Sequence, residues 1–205
     1  MKKVDYQKIY ELLNRREILD FDCGLLCSAA CCRPDGCYDE AVINEDYLLE
    51  NDDEEMGIFL FPGEEKMSLP RDWQSSSLED AQAMGFPASW EAVCFVSCGG
   101  KKFCQRHKRP MQCRTFPFCP HLNENNELSL IYYPDELPYR CPIIEERIPV
   151  NKAYLKDLLE AWQLMLEDPR IYELVREDSR QRVSEQLPVE AVISAPLRRR
   201  PEYNK

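Results

Sequence analysis

The sequence predicts a single small domain of the α+β class, with helices at its N- and C-terminal ends and an irregular, cysteine-rich centre. Three observations carry this expectation. Apolar residues recur at helical spacing near both ends: Tyr6, Ile9, Tyr10 and Leu13 at the start, and Leu155, Leu158, Leu159 and Trp162 toward the finish. Between them Glu127 to Tyr133, rich in β-branched and aromatic residues, follows the polar Asn123-Glu-Asn-Asn126 stretch and reads as a strand. Eleven cysteines crowd the middle of the chain, where extended periodic patterning is weakest. With 205 residues and 44% hydrophobic content there is enough apolar material for one core.

Taken in order, residues 4 to 18 form a short amphipathic entry helix. The first cysteine group, Cys23-x3-Cys27-x3-Cys31-Cys32 with Cys37 beyond, reads either as successive helical turns or as a loop around a metal. An acidic stretch from Glu45 to Glu55 leads to Gly57-Ile-Phe-Leu-Phe-Pro-Gly-Glu64, a short strand or buried loop bounded by turn residues. Residues 68 to 90 read as a surface connection with one short helix. A second cysteine group follows: Cys94, Cys98, Cys104, Cys113 and Cys119, then the isolated Cys141. The clearest helix starts at Asn151, its apolar face extended by Met165 and Leu166. Asp168-Pro169 ends it and starts another over Ile171 to Val183, with Asp168 as cap and Pro169 at the first position. Residues 1–147 are thus assigned to a cysteine-cluster unit with its entry helix, 148–187 to a helical pair packed on it, and 188–205 to an extended tail.

Dense thiols mean either disulfides or soft metal. Disulfide frameworks belong to oxidising compartments, and the chain opens Met1-Lys-Lys-Val4 without an apolar leader, so the expectation is a cytoplasmic protein whose thiols stay reduced. An odd cysteine count and the adjacent Cys31 and Cys32 also fit pairing poorly. Metal binding is favoured: zinc, or iron, including iron held as an iron–sulfur cluster, since thiolate spacings for the two overlap. The first group has neither the repeated Cys-x2-Cys knuckle of zinc ribbons nor the Cys-x3-Cys-x2-Cys run of radical chemistry, so spacing leaves the metal open. Metal-binding free energy would then knit the irregular centre.

A formal net charge of −11 argues against nucleic acid as a partner, and no apolar run approaches membrane-spanning length. The charge is uneven, however. Lys101, Lys102, Arg106, Lys108, Arg109 and Arg114 lie together without an acid, interleaved with Cys104 and Cys113. Arg109 and Arg114 are expected to offset thiolate charge and donate hydrogen bonds to sulfur. The lysines read equally as a solvated face, and an anion or phosphate site is a third reading. Pro110 and Pro117 stiffen the loop, with Phe116 and Phe118 beneath it. His107 and His121, the only histidines, are more often surface or hydrogen-bonded residues than ligands. Glycine-rich nucleotide loops are missing, and Asn51 to Glu55 lacks calcium-loop spacing.

The combination of Cys23-x3-Cys27-x3-Cys31-Cys32, Cys94-Phe-Val, Cys104-x8-Cys113-Arg-Thr-Phe-Pro and Cys141-Pro-Ile resembles the CxxCxxCC, or YkgJ-type, family of zinc- or iron-chelating cysteine-cluster proteins. The resemblance spans about residues 23 to 145, and its most specific part is Arg109-Pro-Met-Gln-Cys-Arg-Thr-Phe-Pro117. It implies Cys23, Cys27, Cys31, Cys32, Cys94, Cys104, Cys113 and Cys141 as metal ligands. Cys37, Cys98 and Cys119 are extra, with Cys98 and Cys119 as substitutes, and His107 stands where the family commonly has tyrosine. The spacings of three are closer to the flagellin lysine N-methylase branch, which implies an alternative: an iron–sulfur enzyme transferring methyl groups to protein lysine. No glycine-rich loop for a methyl donor is visible among only seven glycines, so a metal-binding protein without an assigned reaction is the favoured expectation.

Overall fold

The computed structural model describes residues 4–32, 57–67, 76–97 and 104–197. Cys37, Cys98, Lys101, Lys102, the acidic stretch before Met56 and the arginines at 198–200 lie outside the described residues. The class is α+β, as the sequence predicts: helices enclose two small antiparallel sheets.

Helix α1 (Tyr6–Leu13) starts where the Asp5 carboxylate accepts a hydrogen bond from the Lys8 N–H. It buries Tyr6, Ile9, Tyr10, Leu12 and Leu13, the face its spacing implies. The first sheet comprises β1 (Gly57–Leu60), β2 (Ser76–Asp80) and β3 (Ala92–Ser97) in the order β1-β3-β2. Gly57 is required here by packing. A Cβ at that position would stand 2.0 Å from the Phe95 ring, so only a bare backbone lets the ring lie down. From Phe95 a run of ring contacts passes through Phe59, Phe86, Trp90 and Phe61 to Trp162, tying the sheet to the C-terminal half.

Strand β2 falls inside the stretch expected to be a surface connection. Ser-Ser-Leu-Glu-Asp has little strand propensity, and its Leu78 is exposed; pairing with β3 supplies what the residues lack. The short helix expected in this region is a 3₁₀ turn at Ala88–Trp90.

After helix α2 (Met111–Thr115) comes the second sheet, β4 (Phe118–Leu122), β5 (Glu127–Tyr132) and later β6 (Ala191–Pro196), in the order β4-β5-β6. Strand β5 is the one read from sequence. Pro120 argues against a strand, yet β4 is at the sheet's edge, where a missing N–H does no harm. Helix α5 (Pro169–Ser184) covers that edge: Ser179 Oγ accepts from the Leu122 N–H at 2.9 Å, and Arg182 donates to the Pro120 carbonyl at 2.9 Å. The tail, expected only to be extended, completes the sheet as β6 along β5.

Short helix α3 (Pro142–Glu145) precedes α4 (Lys152–Met165), which Asn151 caps by accepting from the N–H groups of Ala153 and Tyr154. Helix α4 packs against α1, β5 and β6, so one apolar core runs through the whole described chain. No helix among the described residues is long and apolar enough to cross a membrane.

Asp168 caps α5 with Pro169 at the first position, as read from sequence, and its buried carboxylate also pairs with Arg170 at 2.8 Å. Asp168→Ala is expected to cost about 2 kcal/mol, the sum of a lost cap and a lost charge-assisted bond. Asp168→Asn, which keeps an acceptor, should cost less. Denaturant midpoints of the two variants measure the difference.

Candidate metal centre

The first cysteine group is neither continuous helix nor open loop. It folds as two 3₁₀ turns, Cys23–Leu25 and Ala30–Cys32. Asp22 opens the first by accepting from the Gly24 N–H at 2.9 Å. Ser28 and Ala29 then take left-handed φ angles of 53° and 59°, reversing the chain so that the second turn folds back on the first. The Ala29 N–H closes this reversal on the Gly24 carbonyl at 2.8 Å.

Two later segments meet these turns. Helix α2 carries Cys113, and Cys141 stands at the N-cap position of α3. Together Cys23, Cys27, Cys31, Cys32, Cys113 and Cys141 line one cavity of about 200 Å³. Its remaining wall is largely apolar, with Leu26, Ile58, Phe116, Pro117 and Tyr139. Six of the eight cysteines singled out in the sequence therefore face a common space, although more than a hundred residues separate the first from the last.

The other two are placed differently. Cys104 is off the cavity wall but accepts a hydrogen bond from Arg109 Nε at 2.9 Å, and Arg109 is itself on the wall. Cys94 lies in β3 opposite Leu60 and Leu78, away from the cavity lining. Cys119, a substitute in the sequence reading, is buried in β4, where burial pushes its thiol up to about 11. His107 is exposed, while His121 is buried in β4 beside Arg182; burial first, then that guanidinium, lowers its pKa.

Within the cavity Cys31 Sγ and Cys32 Sγ are 3.8 Å apart. Two sulfurs sharing one tetrahedral ion at about 2.3 Å each would be separated by about 3.8 Å, so this pair already has the spacing of a shared ligand edge. Three of the thiols, Cys23, Cys31 and Cys141, lean toward their protonated forms. Burial raises Cys23 and Cys141, and the hydrogen bond shared with Cys32, followed by burial, raises Cys31. The six sulfurs share the cavity wall without closing on a single point: among the described residues no three His, Cys, Asp or Glu side chains are grouped closely enough to hold an ion as they stand. In kind, six thiols on one apolar-walled space fit a soft metal and would suit a hard cation poorly.

The two arginines expected near sulfur divide their roles. Burial works against the charge on Arg109, but its bond to Cys104 and the nearby Cys32 and Cys113 sulfurs outweigh that and raise its pKa. Arg114 turns away from sulfur. It donates to the carbonyls of Arg109 and His107 and to Asn14 Oδ1, and its guanidinium lies over the Tyr10 ring at 4.1 Å. Its contribution is to hold the backbone of the Cys104–Cys113 loop against α1.

One residue of the site has no mark in the sequence. Glu64 is fully buried, and its carboxylate accepts from Tyr10 Oη at 2.7 Å, the Met111 N–H at 2.7 Å and the Phe61 N–H at 3.1 Å. Pro110, just before α2, offers no side-chain cap, so Glu64 caps the helix that carries Cys113 from across the core. Nothing local separates Glu64 from Glu65, whose carboxylate is turned to the Gly63 N–H.

Compared with known proteins, the chain matches no family model, no curated protein and no solved structure.

Burial raises the Glu64 pKa, and the hydrogen bonds and Arg114 only partly oppose it. The folded state therefore binds the Glu64 proton more tightly than the unfolded chain does. Its contribution to stability is fully present below the ordinary carboxylate pKa and is lost as pH rises through the raised folded value. Glu64→Gln cannot titrate, so the stability of the native protein relative to this variant should decline as pH rises across that window. Paired thermal melts from pH 4 to pH 8 check the sign. Glu64→Ala, which strands two N–H groups and a hydroxyl, should cost on the order of 3 kcal/mol or more at any pH.

Proposed function

We propose that this protein binds a soft metal, zinc or iron, through clustered cysteine thiolates. The observation that supports the reading is the convergence of Cys23, Cys27, Cys31, Cys32, Cys113 and Cys141 on one small cavity. Apolar packing alone gives no reason to bring six thiols together from three separate segments. Burial and fixed backbone lower the entropy that would be lost in gathering ligands, and an apolar wall keeps water from competing for the ion.

Each element has a role in this reading. Cys31 and Cys32 supply a preformed ligand edge, and Cys113 and Cys141 supply ligands from two other segments. Arg109 offsets the charge of several thiolates and links Cys104 to the site. Bound metal supplies a cross-link between the 3₁₀ turns and the start of α2 and α3, so its binding free energy is also folding free energy for the centre of the chain. Reduced thiols on this scale belong in a reducing compartment, and we place the protein in the cytoplasm. The resemblance to the YkgJ-type cysteine-cluster family agrees with this chemistry. No reaction is assigned.

Elemental analysis and a visible spectrum of protein purified without oxygen test the reading. Metal in whole-number stoichiometry is expected, colourless for zinc and brown with acid-labile sulfide for an iron–sulfur cluster. Cys113→Ser should lower both metal content and melting temperature, whereas Cys119→Ser should leave metal content unchanged. A metal-free native protein, or a Cys113→Ser variant with native metal content, would overturn the reading.

A further inference from the structure

A second cavity, of about 220 Å³, lies against the first and shares Cys23, Cys113, Arg109 and Phe116 with it as a common wall. Its far side belongs to the end of α1, to Arg106 and to α4. Four guanidinium groups line it, those of Arg16, Arg106, Arg109 and Arg114, against one carboxylate, Glu17. This is a strong local reversal of sign in a chain whose net charge is −11.

Not all four cations are equally available. Arg114 is held through all three of its nitrogens by two carbonyls and Asn14, so it serves as wall. Arg16 pairs with Asp157, and Arg106 with Glu17 and with Asp22 at 3.1 Å. All three ion pairs involve partly exposed side chains, and surface pairs of this kind contribute about 0–1 kcal/mol, so an incoming anion can exchange with them at little cost. Arg109 is committed to Cys104 through Nε alone and lines both cavities. Counting the carboxylates of Asp22 and Asp157 along with Glu17, the cluster keeps an excess of one positive charge.

We infer that this cavity binds a small oxoanion, a carboxylate or phosphate group, recognised by Arg106, Arg109 and Arg16 and held against the thiol wall at Cys23 and Cys113. Guanidinium groups present forked donors suited to both kinds of oxoanion. Carboxylate and phosphate share this recognition chemistry, and the cavity adjoins the thiol site across the residues the two have in common. An anionic ligand seated there is in contact with two of the proposed metal ligands. The cavity depends on arginines and not on bound metal, so it can stand or fall separately from the reading proposed above.

The test is site-resolved modification of the full-length protein by the arginine reagent phenylglyoxal, followed by peptide mass spectrometry. It compares sodium phosphate, sodium acetate and sodium chloride at equal ionic strength. Phosphate or acetate should slow modification of Arg106 and Arg109 by roughly tenfold when present at ten times its dissociation constant. Exposed Arg140, paired with Glu145 and Glu146 outside the cavity, should react at the same rate in all three salts. Protection by phosphate alone identifies a phosphate group as the ligand, and protection by acetate alone a carboxylate. Arg106→Gln should abolish the protection at Arg109 while keeping the native metal-to-protein ratio, which separates this site from the thiol site. Equal rates at Arg106 and Arg109 in all three salts on the native protein would overturn the inference, whatever the variant does.

Discussion

The carboxylate of Glu64 is the constraint on which the rest of the site depends. It reaches three parts of the molecule at once: the hydroxyl of Tyr10 on α1, the Phe61 N–H at the end of β1, and the Met111 N–H at the head of α2. A buried carboxylate is costly unless its lone pairs are met, and here three donors meet them, with Arg114 stacked on the same Tyr10 ring. Because those donors come from distant segments, satisfying one side chain fixes how the first sheet, the entry helix and the Cys113 helix sit together. Displacing any of them would leave a buried polar group without its partner, so the arrangement is enforced by a penalty and not merely favoured by contact.

On that frame the thiol cavity forms by convergence. The two 3₁₀ turns bring four cysteines to one cavity because the left-handed Ser28 and Ala29 fold the second turn back. Glu64 and Arg114 hold the loop that carries Cys113, and the Tyr154 hydroxyl donates to the Arg114 carbonyl, linking that loop to α4. The aromatic run from Phe95 to Trp162 joins the first sheet to the same helix. Thiol placement is thus a property of the whole core, which explains how cysteines so far apart in sequence share one small space.

Much of the helical frame was legible beforehand for local reasons. A 3.6-residue apolar repeat identifies α1 and α4, and Asp168-Pro169 marks the start of α5, because caps and periodicity act within a few residues. Strand β5 was legible through its aromatic and β-branched run. Strands β2, β4 and β6 were not, since Ser76 to Asp80 has weak propensity, Pro120 breaks a local rule, and Ala191 to Pro196 becomes a strand only by docking on β5. Those are pairing decisions made by distant partners.

The candidate site divides along the same line. The sequence by itself determined its chemistry: clustered thiols next to a basic stretch, with Arg109 between them, are soft donors with a counter-charge wherever they end up. Tertiary structure alone decided which thiols share a space, leaving Cys94 in a strand and Cys104 on an arginine while Cys113 and Cys141 join the first group. It also turned Arg114 toward backbone carbonyls and made Glu64, indistinguishable in sequence from Glu65, the brace of the core. The physical reason is that side-chain chemistry is carried by each residue, whereas burial, proximity and charge compensation exist only between residues that the fold has brought together.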